Sequence, residues 1–290
     1  MDRRSRIAKI ALIAALPALA LFTGLAASAS ASASTTPAAT QRAEAAATAR
    51  AAIKDIAVGF DRSPTLRVTS HKTSVKGLSQ VDSTNWSGYA DTGSSFSKVA
   101  ASWTEPTGTC SGDTTSLAAF WVGIDGYSSD TVEQDGTLIE CYEGAKYYYD
   151  WWELYPLNDV QVVNDVSPGN SITASVVRSG SSYTMAVTDS SDTADSFSTT
   201  QTYSGAADSS AEWIAEAPCC SSGDNVYPLT DFSSWTASSA SVTEGSTSGV
   251  ISSFTDDEIT MVDSSDNVKA QPGALNSSGN GFSVTWKRAS

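Results

Sequence analysis

The chain has 290 residues, of which 17 are Lys or Arg and 32 are Asp or Glu, so its formal net charge is −15. Such an acidic chain lacks the basic face that nucleic-acid binding requires. His71 is the single histidine, which excludes a zinc site built on two histidines and a histidine general base in the remainder of the chain. We therefore expect no nucleic-acid partner, no metal ion and no other cofactor.

The first 34 residues have the features of a secretory signal peptide in the usual order. Four basic residues within positions 3–9 precede an apolar stretch at 10–25, and an Ala/Ser run with A-x-A-like cleavage sites follows. We expect loss of residues 1–34, secretion of the remainder and no membrane attachment afterwards. Secreted chains form disulfides, and Cys110, Cys141, Cys219 and Cys220 allow three pairings that the sequence does not decide.

Charge divides the chain into two unlike parts. Residues 1–80 contain 11 basic and 4 acidic residues, a formal charge of +7, whereas residues 81–290 contain 6 basic and 28 acidic residues, a charge of −22. Residues 41–56 are rich in Ala with Glu, Arg and Lys, which favours a helix. This pattern predicts a basic propeptide at 35–80 that pairs with an acidic domain at 81–290 until acid protonates its carboxylates. A disordered linker is the alternative.

Strand patterns dominate the acidic part. Short runs rich in Val, Ile, Thr, Tyr, Phe and Trp recur between clusters of Ser, Gly and Asp. The runs at 172–177 and 183–188 flank R-S-G-S-S, which predicts a hairpin. Many short strands at close spacing predict a single all-β domain, an antiparallel β-sandwich. The predicted strands are residues 99–103, 119–124, 147–155, 172–177, 183–188, 198–203, 211–215 and 282–286.

Catalysis in a domain without histidine has to use carboxylates, amides, hydroxyls or lysine. Paired carboxylates are typical of glycosidases and acid proteases. Asp91, Thr92 and Gly93 match the aspartic-protease signature once, but the sequence has no second copy and the domain is too short for two such lobes. We therefore interpret residues 91–93 as a turn.

Four other segments combine aromatic, glycine and polar residues. They are N-W-S-G-Y at 85–89, W-V-G-I-D-G at 121–126, W-W-E-L-Y-P at 151–156 and A-E-W-I-A-E at 211–216. In a strand, alternation puts Trp151, Glu153 and Tyr155 on one face and Trp152 on the other. Two aromatic rings and a carboxylate suit a substrate groove, although an aromatic ladder in a half-buried strand gives the same pattern.

These four segments, in this order, resemble those of the glutamic peptidases, also called eqolisins or peptidase family G1. The resemblance extends from about residue 82 to the C-terminus. It implies a concanavalin A-like sandwich of two antiparallel sheets, preceded by a signal peptide and a removable propeptide. It also implies proteolysis at acid pH that pepstatin does not inhibit.

The catalytic pair of that family is one Gln and one Glu. The resemblance assigns these roles to Gln134, which follows W-V-G-I-D-G, and to Glu216, the last residue of A-E-W-I-A-E, rather than to Glu212. Glu216 would take a proton from water and pass it to the leaving amine, while the Gln134 amide would donate to the oxyanion. By the same resemblance, the residues that line or support the substrate cleft are Trp86, Trp121, Asp125, Glu153 and Tyr155.

Two departures from the fungal members affect loops near this pair. The loop between Gly126 and Gln134 is one residue shorter and lacks a cysteine, and A-P-C-C at 217–220 replaces acidic residues. Both leave the disulfide pairing and the substrate preference open. Trp213 is expected in the core.

Two other classes remain open on the residues alone. A glycosidase on the same sandwich would use two carboxylates, such as Glu153 and Glu216, and would not need Gln134. A carbohydrate-binding module would use the tryptophans but has no evident need for a basic propeptide. The favoured prediction is a secreted, monomeric acid endopeptidase whose partners are protein or peptide substrates and its own propeptide.

Overall fold

The computed structural model describes residues 78–218 and 226–290, a strand at 68–75, and residues 40, 44, 47, 48, 50 and 51. The described residues between 40 and 51 are helical, as their Ala-rich composition predicts. The predicted signal peptide, most of the predicted propeptide, and Cys219 and Cys220 lie outside the described residues. Within the described part, no helix is long and apolar enough to cross a membrane.

Strands account for most of the described chain. Two short 3-10 helices, Thr193–Asp195 and Ile251–Ser253, interrupt them. The strands are β1 (Val68–Val75), β2 (Leu78–Ser83), β3 (Trp86–Thr92), β4 (Phe96–Thr104), β5 (Ser116–Asp125), β6 (Val132–Tyr142), β7 (Ala145–Tyr155), β8 (Asn158–Asp165), β9 (Ser171–Ser179), β10 (Ser182–Asp189), β11 (Phe197–Thr202), β12 (Ser210–Glu216), β13 (Ser234–Glu244), β14 (Thr247–Gly249), β15 (Thr255–Val262), β16 (Val268–Pro272) and β17 (Phe282–Trp286).

The strands form two sheets packed face to face. The first sheet has the order β1-β2-β15-β3-β12-β5-β6-β7-β8, in which β2 and β15 are parallel and the other neighbours antiparallel. The second has the order β11-β10-β9-β4-β13-β14 and is antiparallel. β16 pairs with β15 of the first sheet and with β17, and β17 pairs with the first part of β13, so β16 and β17 link the two sheets. The predicted β-sandwich is thereby confirmed.

The main core fills the space between the two sheets. Phe120 from the first sheet stacks on Trp235, with ring centroids 5.5 Å apart. Trp213 is fully buried in the same cluster and donates its indole N–H to the Ala100 carbonyl at 3.0 Å. The expectation that Trp213 is a core residue is confirmed.

The other face of the first sheet carries a separate aromatic and aliphatic cluster. Its members include Trp86, Trp121, Leu138, Tyr149 and Ile214, all of them buried. These side chains alternate along β3, β5, β6, β7 and β12 with those that enter the main core, as the period of two in a strand requires. We call this side of the sheet the second face.

Most predicted strands occur within one to three residues of their expected ends. The hairpin between β9 and β10 turns at residues 180–181 as predicted. The turn predicted at 91–93 is wrong for Asp91 and Thr92, because both lie in β3 and pair with β12. The segment expected as a loop between Gly126 and Gln134 ends before β6, which begins at Val132, so Gln134 lies in a strand and pairs with Gly123.

One of the cysteine pairings left open by the sequence is present. Cys110 and Cys141 form a disulfide across a separation of 31 residues. It fastens the segment before β5 to the end of β6. This disulfide therefore supports the strand that carries Gln134.

Several carboxyl groups are buried where water is excluded. Asp91, Glu105 and Glu133 are at most 1% exposed. Burial is the largest cause that raises the pKa of Glu105 to about 7 and those of Asp91 and Glu133 to about 9. No described residue donates a hydrogen bond to Asp91 or Glu133. These carboxyl groups are therefore suited to the protonated form.

We predict that the domain is most stable in acid. In the unfolded chain these carboxyls have pKa values of about 4, so the folded state binds more protons between that pH and its own raised pKa values. The free energy of unfolding is then largest below about pH 4 and decreases as the pH rises towards 7 and 9. The free energy of unfolding is measured by urea denaturation, monitored by tryptophan fluorescence, at pH values across this range.

Matched variants make this prediction specific. Glu133→Gln should make the free energy of unfolding decrease less with rising pH, because the amide does not ionise. Glu143→Gln, at an exposed position, should show the same decrease as the wild type. A free energy of unfolding that stays constant or rises over the same interval contradicts the prediction.

Candidate active site

The register of the first sheet puts Gln134 and Glu216 on the second face. β12 and β6 lie on either side of β5, and alternate residues of all three strands face this side. The catalytic candidates therefore lie on strands separated by β5. One cross-strand row contains Glu216, Ala119, Leu138 and Tyr149, and another contains Glu212, Gly123, Gln134 and Glu153.

Glu216 is surrounded by hydrogen-bond donors. Trp121 Nε1 donates to Oε2 at 2.8 Å and Asn85 Nδ2 donates to Oε1 at 3.3 Å. Burial raises the pKa of Glu216 to about 7, while the hydrogen bonds from Trp121 and Asn85 and the nearby Trp86 indole lower it in part. The sequence suggested an ordinary Glu216 pKa of about 4.3. The pKa in the structure is higher because the carboxyl is almost fully buried.

Gln134 is fixed by a neighbour on the next strand. Its Nε2 donates to Glu153 Oε2 at 2.5 Å, and the two residues are directly paired between β6 and β7. This contact leaves the second N–H of the amide available, because Gln and Asn amides carry two donors. Glu153 thus orients the amide that the sequence assigns to oxyanion binding.

Trp121 lies between the two candidates. Gly123 leaves room for the indole: a Cβ on Gly123 would be 2.9 Å from Trp121 Cζ3 and 3.3 Å from Gln134 Cβ. The other end of the same indole bonds to Glu216. The Trp121 ring therefore bonds to Glu216 at one end and covers Gly123, the cross-strand partner of Gln134, at the other.

Trp86 completes the aromatic wall. Its ring meets that of Trp121 edge to face, with centroids 4.9 Å apart, a geometry favoured between aromatic rings. Trp86 is also directly paired with Glu216 between β3 and β12. Trp86 therefore packs beside the carboxyl rather than at a distance from it.

Asp125 supports the site instead of facing its centre. It is fully buried at a positive φ of 70°. Its carboxylate accepts hydrogen bonds from the backbone N–H groups of Ala207, Asp208 and Ser209 at 2.7–2.9 Å. Asp125 thereby ties the loop before β12 to the end of β5.

Tyr155 is the predicted site residue with the fewest described contacts. It ends β7 half-buried, two residues after Glu153 and on the same face by alternation. Trp152, on the opposite face, packs against the main core. The predicted division of this strand into two faces is confirmed.

Two contributors were not assigned a role from the sequence. Asn85 belongs to the N-W-S-G-Y segment and bonds to Glu216, a role that its place beside Trp86 could have suggested. Tyr127 donates to Asp257, and this pair joins two elements separated by 130 residues, a contact for which the sequence holds no signal.

Glu212 shares the second face with Glu216 but has a different environment. It is fully buried, and its pKa is raised well above the ordinary value, mainly by burial and further by Asp125 and Glu133. The Ser210 hydroxyl offsets this to a smaller extent. Glu216 has more donors that favour an ionised carboxylate, which agrees with its assignment as the reactive glutamate.

A β-sandwich whose first sheet carries aromatic, acidic and glutamine side chains on one face agrees with the fold and the motifs of the glutamic peptidases. A sequence model described as the Peptidase A4 family matches residues 84–286, and the chain belongs to that family. The resemblance to the glutamic peptidases is thereby confirmed. Aspergillopepsin-2 from Aspergillus niger is 29% identical over 192 residues, 56% of this chain and 65% of that protein. The match thus spans slightly less than two thirds of that relative.

Solved structures share the fold. Scytalido-glutamic peptidase with a transition state analog inhibitor is 22% identical, with a TM-score of 0.61 over 70% of this chain and 98% of that one. SCP-B, a member of the eqolisin family in complex with the tripeptide Ala-Ile-His, is also 22% identical, with a TM-score of 0.59 and the same coverage. At this identity the likeness establishes the sandwich architecture.

We predict that Trp121→Phe raises the pKa of Glu216. The substitution keeps the ring but removes the N–H that stabilises the ionised carboxylate. A hydrogen bond to a charged group is worth about 1.5–3 kcal/mol, which corresponds to a rise of at least about one pH unit. Carbon-13 NMR titration of protein labelled at the glutamate carboxyl carbon measures it.

Trp151→Phe is the matched control. Trp151 lies on the same face, and no described residue accepts a hydrogen bond from its indole N–H. The control should leave the Glu216 titration where it is. An unchanged or lowered Glu216 pKa in Trp121→Phe would show that the indole does not stabilise the carboxylate.

Proposed function

We propose that the chain is a secreted endopeptidase that hydrolyses peptide bonds in acid with Gln134 and Glu216 as a catalytic dyad. The observation that carries this is the arrangement around Trp121, which bonds to Glu216 and lies beside Gln134. Family membership supports it, as do relatives with the same fold that were solved with a transition state analog and with a tripeptide. Substrates are proteins or peptides, and the enzyme acts as a monomer.

The first step is the attack of water on the scissile carbonyl. Ionised Glu216 takes a proton from a water molecule placed between its carboxylate and the Gln134 amide, and the water oxygen bonds to the carbonyl carbon. A tetrahedral intermediate forms, and Glu216 is left protonated. Protonated Glu216 then gives this proton to the amine as the peptide bond breaks.

Gln134 acts on the charge that develops on the carbonyl oxygen. With one N–H bonded to Glu153, the other donates to the oxyanion. Loss of one such donor typically costs about 3–4 kcal/mol in the transition state. Glu153 is a positioning residue in this scheme, because it acts through the glutamine.

The pKa of Glu216 connects this chemistry with maturation. At about 7, the carboxyl is mostly protonated in acid and a poor base there. Burial is the main cause, and Arg50 of the N-terminal part contacts Tyr149 on the same sheet face, about 14 Å across the strands from Glu216. We propose that removal of residues 1–80 gives water better access to this face and moves the Glu216 pKa towards its ordinary value. The base would then be ionised in acid.

We predict that both members of the dyad are required. Acid-matured wild type should digest a denatured protein at about pH 4 with pepstatin present, because no aspartic dyad is involved. Gln134→Ala and Glu216→Gln should each lower kcat/KM by about a hundredfold or more. Release of peptide fragments measures activity, and circular dichroism shows whether the variants fold.

The exposed Glu143 supplies the control. Glu143→Gln should retain wild-type activity. Full activity in either dyad variant, or inhibition of the wild type by pepstatin, contradicts the assignment.

We also propose that the basic segment at 35–80 inhibits the domain before maturation. Residues 35–80 contain 7 basic and 3 acidic residues, a formal charge of +4, and residues 81–290 have a charge of −22, so the two parts attract each other. Arg50 supports a specific contact, because its Nη2 lies 2.8 Å from Asp165 Oδ1. Asp165 is on β8 at the end of the cross-strand row that contains Glu216.

We predict that a synthetic peptide of residues 35–80 inhibits the mature domain in a salt-dependent way. Screening weakens attraction between exposed charges, so inhibition should fall as the salt concentration rises. Replacing Arg50 by Gln should weaken inhibition by about threefold to fivefold, since exposed ion pairs contribute at most about 1 kcal/mol. Equal inhibition by a peptide of scrambled order would show that total charge, not the Arg50 contact, is responsible.

A further inference from the structure

The second sheet splits at one end, and the split leaves a cavity. The pairing of β13 with β4 begins where Ser238 faces Ser102, whereas residues 234–237 of β13 pair with β17 instead. The end of β4, at Thr104, pairs with Ser171 of β9. The end of β4 and the start of β13 therefore diverge, and a cavity of about 450 Å³ lies between them. We call it the β4–β13 groove.

The groove lies on the outer face of the second sheet. Trp103 of β4 and Trp235 of β13 belong to the main core, with ring centroids 5.7 Å apart, so their neighbours along the two strands point outward. The groove and the candidate active site are thus on opposite sides of the sandwich. Six of the nine residues that line the groove carry hydroxyl groups: Ser102, Thr104, Ser171, Ser234, Thr236 and Ser238.

The hydroxyl groups of the groove fall into two kinds. Thr104, Ser171 and Ser234 are exposed, so their hydroxyls are accessible to a ligand. Two others are fixed by neighbouring strands: the Ser102 hydroxyl bonds to that of Thr173 at 2.8 Å, and the Ser238 hydroxyl donates to the Ser102 carbonyl at 2.8 Å. The groove therefore combines a rigid wall with accessible donors and acceptors.

A buried carboxyl group is part of the same lining. Glu105 is 1% exposed, and its Oε2 accepts hydrogen bonds from the Thr137 hydroxyl at 2.6 Å and the Trp103 indole at 3.3 Å. These two bonds hold the carboxyl in one orientation. Its Oε1 has no described partner, whereas buried polar atoms are nearly always hydrogen-bonded. A ligand hydroxyl in the groove would supply the missing partner.

The electrostatic character of the groove favours a neutral ligand. Glu105 is the one ionisable side chain among the described lining residues. Burial, with a smaller effect of Asp189, raises its pKa to about 7, although Thr137 and Trp103 lower it in part, so this carboxyl is uncharged in acid. Hydroxyl groups both donate and accept hydrogen bonds. A ligand rich in hydroxyls and free of charge therefore matches the lining.

We propose that the β4–β13 groove binds a neutral sugar chain. Its volume lies within the range of about 300–1,000 Å³ that is typical of small-molecule sites. The hydroxyls of Thr104, Ser171 and Ser234 bond to the hydroxyls of the sugar, and Glu105 Oε1 bonds to one that reaches the floor. This site is independent of the proposed function. Because it lies across the sandwich from Glu216, a bound polysaccharide or glycosylated protein leaves the second face open.

The test is a titration of the full chain followed by NMR. The chain carries Glu216→Gln, which prevents self-cleavage, and is kept at about pH 4, where carboxyls of raised pKa are protonated. Maltotriose, cellotriose and triacetylchitotriose represent polysaccharides, and mannotriose represents the glycans of glycoproteins. At least one should shift the backbone amide signals of residues 102–105 and 234–238 with a millimolar dissociation constant. Shifts with none of them, or only at other residues, overturn the proposal.

A variant that fills the groove and a matched control make the result specific. Ser234→Leu puts an apolar side chain into the groove and should abolish the response to the sugar. Ser198→Leu makes the same exchange at an exposed position of β11 in the same sheet, and should bind as tightly as the parent chain. Unchanged binding in Ser234→Leu contradicts a site in the groove.

Two substitutions of Glu105 test the buried carboxyl. Glu105→Leu removes the partner on the floor and should weaken binding by about tenfold or more. Glu105→Gln should retain binding in acid, because Thr137 and Trp103 hold the amide oxygen and the amide N–H then donates as the protonated carboxyl does. Circular dichroism shows whether both variants fold. A folded Glu105→Leu chain with unchanged affinity, or shifts at these residues with sodium or calcium ions and none with the sugars, overturns the proposal.

Discussion

The contact between the Trp121 indole and the Glu216 carboxyl is the interaction on which the candidate site depends. It requires a ring that crosses from β5 to β12 on one side and lies beside β6 on the other. Gly123 and Gly136 make this possible, because a Cβ at Gly136 would be 2.0 Å from the Phe120 carbonyl oxygen and one at Gly123 would meet the ring. Gly136 therefore allows the β5 backbone to come close, and Gly123 allows the Trp121 ring to do so. The same register that pairs these strands brings Gln134 and Glu153 together, so the fold and the site share a single constraint.

Burial of acids is the second unifying feature. Water is excluded from Glu216 by the aromatic wall and from Asp91 and Glu133 by the packed sheets, and in each case the carboxyl pKa is raised. A protein with such groups loses stability when they are forced to ionise. The sandwich is therefore expected to be most stable in acid, where these buried carboxyls are protonated. The proposed peptidase activity in acid would fall in the same range of pH as this stability.

Sequence reasoning reached the sandwich because strand alternation and turn residues are local signals. It assigned Gln134 and Glu216 through motif resemblance, an assignment that stays a prediction, and the structure places both on the second face with Trp121 on the strand between them. It misassigned Asp91, because an Asp-Thr-Gly tripeptide resembles a turn while its pairing with β12 comes from over a hundred residues away. The covering of Glu216, and hence its raised pKa, could not be predicted for the same reason. Asn85 and Trp86 approach it from the start of β3 and Trp121 approaches it from β5, and burial is a property of the assembled sheet.

The Arg50 contact shows one place where the basic part of the chain meets the acidic part. One exposed ion pair with Asp165 contributes little by itself, so it cannot hold the basic segment in place alone. In the proposed propeptide, the surplus of opposite charge would supply the attraction, which is spread over many groups and falls as the carboxylates take up protons. The contact of Arg50 with Tyr149 and Asp165 would fix the position of the segment on the first sheet. Protonation of the carboxylates in acid would then weaken the attraction and release the proposed propeptide.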